Sequence, residues 1–175
     1  YDPTLDLVSY ADDGPILYWR TDTHWNNRGA YVAFLGLARE LEFSAPNVSF
    51  VEGEGRRGDL IGISGLEDYP IQNDDDWEPI WDRNPVVQEV TVNGGEADSF
   101  GPRVRITNSN FLSDQSVWVV GDSFTSAQRQ YINATFREVE YIGHWREALD
   151  SLPSRLANAE MKPDLIIIIR VERSF

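Results

Sequence analysis

Apolar residues in the second half of the chain follow two alternating rhythms. Ser116–Val120 (SVWVV) is a short β-branched run and predicts a buried strand. Gly121-Asp122 ends it in a turn. From Phe124 to Phe136 the spacing is helical, with Ala127, Tyr131 and Ala134 or Phe136 near one face. Val139–Ile142 is a second short strand. Trp145–Ala157 is a second helix, with Trp145, Ala148, Leu149, Leu152 and Leu156 on one side and Pro153 as a point of interruption. Asp164–Arg170 (DLIIIIR) is apolar on consecutive residues, the pattern of a strand covered on both faces. Strand–helix–strand–helix–strand predicts a parallel sheet with right-handed crossovers.

The first half is less regular. Ile16–Trp19 reads as a short strand, and Thr21–Asn27 is polar and turn-like. Asn27 suits the N-cap of a helix through Gly29–Leu41, whose Ala30, Ala33, Phe34, Leu37 and Leu41 would face inward. Val48–Val51, Val86–Val92 and Arg103–Thr107 are further strand candidates. Residues 66–85, with Asn73-Asp74-Asp75-Asp76, Pro79 and Pro85, read as a surface loop. No repeat or strong linker interrupts the chain. The expectation is one α/β layered domain over residues 1–175 with a mostly parallel sheet, trimmed at one or both ends because it starts at Tyr1.

Composition narrows the chemistry. At 175 residues the chain can bury a substantial core without a staple. It has no cysteine, which excludes a disulfide scaffold, a thiolate metal site and a cysteine nucleophile. The longest wholly apolar run, Leu165–Ile169, is too short to span a bilayer. Acids outnumber bases 29 to 15, for a net charge of −14, and Lys162 is the one lysine. Such a chain repels phosphate backbones, so a nucleic-acid partner is not expected. The acid surplus fits either a general solubility margin or adaptation to high salt.

Only two histidines, His24 and His144, are available as bases for a serine nucleophile. Ser123 follows a hydrophobic strand in Val119-Val120-Gly121-Asp122-Ser123-Phe124 and opens a helix. Gly121 permits a tight turn there, which puts the hydroxyl at the carboxyl end of a parallel strand, beside a helix N-terminus suited to an oxyanion. A plain helix cap by Asp122 or Ser123 explains the same residues. His24 lies in Arg20-Thr21-Asp22-Thr23-His24-Trp25, where Asp22 can accept from one ring nitrogen and leave the other as base. A surface Asp–His pair, or a histidine packed on Trp25, is the plainer alternative. His144 has no acid so well placed, with Glu147 a helical turn on, and is read as structural or at the rim.

Four segments in order resemble the SGNH-hydrolase-like domain of bacterial polysaccharide O-acetyltransferases, the alginate O-acetyltransferase family. They are Tyr18-Trp19-Arg20-Thr21-Asp22-Thr23-His24-Trp25-Asn26 followed by Gly29-Ala30-Tyr31; Gly58-Asp59-Leu60; Val119-Val120-Gly121-Asp122-Ser123-Phe124; and Pro163-Asp164-Leu165 through Val171-Glu172-Arg173. Ordinary SGNH esterases carry the Gly-Asp-Ser block first and the Asp–His pair last. Here the pair leads, as in a circularly permuted arrangement.

The resemblance implies a three-layer, flavodoxin-like SGNH fold and a triad of Ser123 as nucleophile, His24 as base and then acid, and Asp22 as orienting partner. Acyl transfer would run through an acetyl-serine, giving O-acetylation with a sugar acceptor or ester hydrolysis with water. The Ser123 amide is the expected oxyanion donor, with Asn108 set beside it as a candidate. Trp25, Arg20 and Arg173 are candidates for binding substrate. The resemblance also implies an extracytoplasmic location, a polysaccharide or oligosaccharide acceptor, and an acyl donor that a membrane acyltransferase would deliver. No cofactor or metal is expected, and Asp74, Asp75 and Asp76 read as a solvated run rather than a calcium loop. Trp118 and Trp145 are assigned to the core, and Trp77 and Trp81 to packing under loops. A non-catalytic sugar-binding domain is the alternative from another class.

Overall fold

The computed structural model describes residues 1–12, 14, 16–70, 76–92 and 103–171. The chain forms two compact units, Tyr1–Arg83 and Asn84–Phe175.

The first unit holds α1 (Thr4–Asp12), α2 (Asn27–Glu40), β1 (Val48–Glu52), α3 (Asp59–Ile63) and β2 (Trp77–Trp81). In α2, Ala30, Val32, Ala33, Phe34 and Ala38 are buried. Leu41, expected to face inward, is instead exposed just past the helix end. The N-cap is Asn26, not Asn27. Asn26 Oδ1 accepts from the Gly29 amide at 3.0 Å while its Nδ2 donates to the Ile16 carbonyl at 2.7 Å. Asn27 is already helical, and its side-chain Nδ2 donates to the Trp77 carbonyl. Two adjacent asparagines offer the same cap chemistry, and the extra bond to Ile16 selects the first.

β2 lies inside the stretch read as a surface loop, and pairs antiparallel with β1 in a two-stranded ribbon. Trp77, Pro79 and Trp81 alternate inward against the more exposed Glu78 and Ile80. Pro79 argues against a central strand, but a two-stranded ribbon has only edges, so a missing N–H costs it little. Ile16–Trp19 is not a strand; it contributes a single bridge, Tyr18 to Trp25. Helix α1 escaped the periodicity because Leu5 and Val8 are exposed and leave no inward stripe. A two-point grip of Arg39 on the Asp6 carboxylate, both contacts 2.9 Å, ties it to α2.

The second unit holds β3 (Val87–Thr91), β4 (Val104–Asn108), β5 (Ser113–Gly121), α4 (Thr125–Thr135), β6 (Phe136–His144), α5 (Trp145–Asn158) and β7 (Leu165–Ile168). Its five-stranded sheet has the order β3-β4-β6-β5-β7. Strands β6 and β7 flank β5 in parallel, as expected, while β4 runs antiparallel to β6 and β3 antiparallel to β4. The sheet is therefore mixed.

Burial on β5 runs unbroken from Val117 to Gly121, so this strand is covered on both faces. Trp118 and Val120 pack with Ile142, Ala148 and the α5 stripe Trp145, Leu149, Leu152 and Leu156. That stripe recurs at helical spacing and continues past Pro153 to Asn158. Pro153 lacks an N–H, yet the Ser151 hydroxyl reaches the Ala148 carbonyl and Arg155 Nε bonds the Ser151 hydroxyl, linking the turns on either side. Strand β7 corrects the expectation of two covered faces. It is an edge strand, with Ile167 buried and Ile168 half exposed. An apolar run cannot distinguish a sheet centre from an apolar edge.

Asn108 ends β4 as a buried hub. Its Nδ2 donates to the carbonyls of Asn133 and Ala134, at 3.0 and 3.1 Å, and its Oδ1 accepts from the amides of Val86 and Asn110. Asn108→Ala leaves these groups unpaired, and a loss of about 2–4 kcal/mol in stability is expected, read as a lowered midpoint in denaturant unfolding.

Candidate active site

The loop carrying the Asp–His pair is closed by its own backbone. The Asn26 amide donates to the Leu17 carbonyl at 2.9 Å, and the Trp19 amide to the His24 carbonyl at 3.2 Å. Leu17, Trp19 and Trp25 are buried and anchor the two feet. Gly29 lets α2 start against this loop, since a Cβ there would stand 2.2 Å from the Leu17 carbonyl oxygen.

Between the feet, Asp22 and His24 meet as expected. His24 Nδ1 lies 2.6 Å from Asp22 Oδ1, which also accepts the His24 amide at 3.0 Å. The Asp22 side chain is 7% exposed. With Asp22 ionised, the proton of the short contact sits on Nδ1, and Nε2 is left as the proton acceptor. The second carboxylate oxygen, Oδ2, accepts from Arg56 at 2.8 Å. The Arg56 guanidinium lies 4.3 Å from the centroid of the Trp19 ring.

The turn leading into α3 supports this pair. Gly58 packs against the loop so closely that a Cβ would lie 2.2 Å from the Thr21 carbonyl oxygen and 2.5 Å from Asp22 Cβ. Its amide donates to the Thr21 hydroxyl at 3.0 Å, and the Leu60 amide to the Thr21 carbonyl at 3.0 Å. Asp59 accepts from the Thr23 amide at 2.8 Å and from the Thr23 hydroxyl at 2.7 Å, with its Oδ2 3.8 Å from His24 Nδ1. Burial pushes the Asp59 carboxyl up, but the two Thr23 hydrogen bonds and the attraction of His24 outweigh it and hold the group below its ordinary range. The residue patterns carried no sign of Arg56. Asp59 was visible only as part of a short block, without a role.

Asp22, His24 and Asp59 each place one potential ligand atom within 4.8 Å of the others. Nδ1 and Oδ1 stand at hydrogen-bonding distance, 2.6 Å, and a proton on Nδ1 would occupy the lone pair a metal would need there.

Ser123 belongs to the second unit. Gly121 ends β5, where a Cβ would lie 1.9 Å from the Thr125 hydroxyl oxygen. Asp122 is buried and braces the turn before α4, whose N-cap, Phe124, has no side-chain cap bond. Asp122 Oδ1 accepts from the Phe124 amide at 3.0 Å, and its Oδ2 from the Val171 amide at 2.8 Å, beyond the end of β7. Ser123 is half-buried, at the carboxyl end of a strand flanked by β6 and β7. The chain order reverses there, the usual ligand position of such sheets. His144 is the N-cap of α5, its Nδ1 accepting from the Arg146 amide.

Other candidates fare differently. Asn108 is not brought to Ser123. Thr107 and Ser116 are both level with Glu138, whereas Gly121 is level with His144, so Asn108 and Ser123 lie at opposite ends of the sheet. Its amide is also committed to the carbonyls named above. Trp25 is 6% exposed and packs in the core, so its ring is not a stacking surface. Arg20 is exposed on the loop. Arg173, Glu172, Asp74 and Asp75 lie outside the described residues, and Asp76 Oδ1 accepts from the Trp77 amide at the entry to β2.

No family model matches the sequence, and no curated protein matches it. Solved structures do match in fold. A DHHW family protein from Eubacterium siraeum superposes with a TM-score of 0.70 at 16% identity, over 97% of this chain and 63% of that one. Bacillus cereus PatB1 with a sulfonyl adduct gives 0.61 at 12% identity, over 95% of this chain and 66% of that one. The O-acetyltransferase domain of Pseudomonas putida AlgJ gives 0.54 at 17% identity, over 99% of this chain and 62% of that one. The chain has the fold of these proteins. It spans somewhat less than two thirds of the length of each.

Two changes test the support of the pair. Gly58→Ala forces backbone apart beneath Asp22, and we expect a loss of at least about 2 kcal/mol in stability with a displaced His24 imidazole resonance. Because the folded Asp59 carboxyl sits below its unfolded value, the Thr23 clasp is fully present above that unfolded value of about 4 and is lost as pH falls through the lower folded one. Exchange protection of the Thr23 amide should follow that course, and Asp59→Asn should weaken the protection at neutral pH.

Proposed function

We propose that this chain is the catalytic domain of an extracytoplasmic carbohydrate O-acetyltransferase, with Ser123, His24 and Asp22 as its triad. The two units form one SGNH-type domain in this reading, with the acid–base pair ahead of the nucleophile in permuted order. The observation that carries it is the 2.6 Å bond that orients His24 on a buried Asp22 and leaves Nε2 as base. Support comes from the strand–turn–helix at Ser123, where Asp122 holds the turn through the Phe124 amide, and from a fold shared with an O-acetyltransferase domain.

In the first half-reaction His24 Nε2 takes the Ser123 hydroxyl proton while Oγ attacks the acetyl carbonyl of the donor. The Ser123 amide stabilises the oxyanion, and α4 adds the positive end of its dipole. The donor's acyl bond breaks, and His24 returns the proton to the leaving group. In the second half a sugar hydroxyl gives its proton to His24 and attacks the acetyl-serine, releasing Ser123, which is reprotonated. Water in place of the sugar makes the same site an acetylesterase. The acceptor is a polysaccharide or oligosaccharide, and the donor side is served by a membrane acyltransferase. Neither step needs a cofactor.

The test is incubation with an activated acetyl ester, with and without oligosaccharide acceptors. Mass spectrometry should find one acetyl group on Ser123, and acceptor should carry acetyl away as acetylated sugar. Acetate release unaffected by acceptor would assign an esterase; neither turnover nor adduct would leave a binding domain. Ser123→Ala should abolish the adduct. Asp22→Asn should keep the fold and slow turnover by about three to four orders of magnitude.

A further inference from the structure

We infer that Arg56 is a positioning residue of the acid–base pair, clamping the outer oxygen of Asp22 and setting how strongly that carboxylate pulls on the His24 imidazole. The inference rests on reading Asp22 and His24 as the proton-handling pair. Asp22 has two oxygens and divides them. Oδ1 takes both His24 contacts, and Oδ2 takes Arg56 at 2.8 Å. A carboxylate held at both oxygens cannot rotate, so the orientation of the imidazole follows from the position of Arg56 as well as from the loop.

Arg56 is itself held. Its guanidinium lies 4.3 Å from the Trp19 ring centroid, and Trp19 is buried at the foot of the same loop. A half-exposed guanidinium with only a carboxylate partner would be a weak tether. One that also stacks on a fixed ring loses little freedom on pairing. Among the described residues of this unit, Asp22 from its own loop and Asp59 from the start of α3 face the imidazole, with Arg56 behind Asp22. Two carboxylates thus lie beside one imidazole. Arg56 is the counter-charge that offsets them. The next residue shows the contrast, because Arg57 turns to the carbonyls of Glu67 and Tyr69 and does not contact the pair.

The test compares Arg56→Gln, Arg56→Lys and Arg57→Gln in the full chain. Two readouts are used: the pH–rate profile with an activated acetyl ester, and the NMR titration of the imidazoles, with His24 assigned by difference from His144→Gln. Arg56→Gln should move the acid midpoint of both curves up by about 0.5 pH unit, since an uncompensated carboxylate holds the imidazolium longer. Arg56→Lys should recover most of that shift. Arg57→Gln, an equal change in net charge, should move neither curve. A folded Arg56→Gln protein with unmoved midpoints, or an equal shift from Arg57→Gln, overturns the inference. The NMR titration does not need turnover. A shift there without an acetyl group on Ser123 would therefore retain the clamp and remove the transferase.

Discussion

A carboxylate that is 7% exposed is tolerated only when its oxygens are paired, and Asp22 meets that demand with three donors. Much of the first unit serves this requirement. The loop closes through two backbone bonds so that Asp22 and His24 face each other. Buried Trp19 and Trp25 hold its feet, and Gly58 lets a segment distant in sequence approach within contact of Asp22 Cβ. The Thr23 clasp on Asp59 then fixes the residue between aspartate and histidine. Removing any one donor leaves a buried charge short of a partner, so the arrangement is cooperative.

The second unit solves a different problem, which is to present a hydroxyl at the end of a buried strand. Burial of β5 on both faces holds its carboxyl end in place. Asp122 takes over the structural work of the turn, bonding both the next helix and the segment after β7.

Arginine dominates the basic residues of this acid-rich chain, and the structure shows how several are used. Arg103 and Arg105 both grip the buried Glu140, Arg28 stacks on Trp77 at 3.3 Å, and Arg56 bridges a ring and a carboxylate. A planar guanidinium can do both at once, whereas an ammonium would make a point contact. The basic residues thus act as specific pins within a surplus of negative charge.

Wherever a pattern is set by local periodicity, it was legible in the sequence. The α5 stripe, the buried run of β5, the strand–helix alternation after it, and the polar turn holding Asp22 and His24 all emerged, because helix and strand faces repeat over a few residues, although β5 and β6 each begin three residues earlier than their apolar runs. Features that depend on a distant partner were not legible. Pro79 sits in a strand because β2 pairs only with β1, and the apolar β7 turned out to be an edge. Asn26 rather than Asn27 caps α2 because Ile16 stands beside it. Asn108 became a hub at the end of the sheet opposite Ser123. The roles of Arg56 and Asp59 arise from segments more than thirty residues from the loop they hold. The amino-acid order determined which groups could exchange a proton and which elements would carry them. Tertiary packing decided which of those groups have partners, since burial and counter-charge are properties of the neighbourhood and not of the chain's local order.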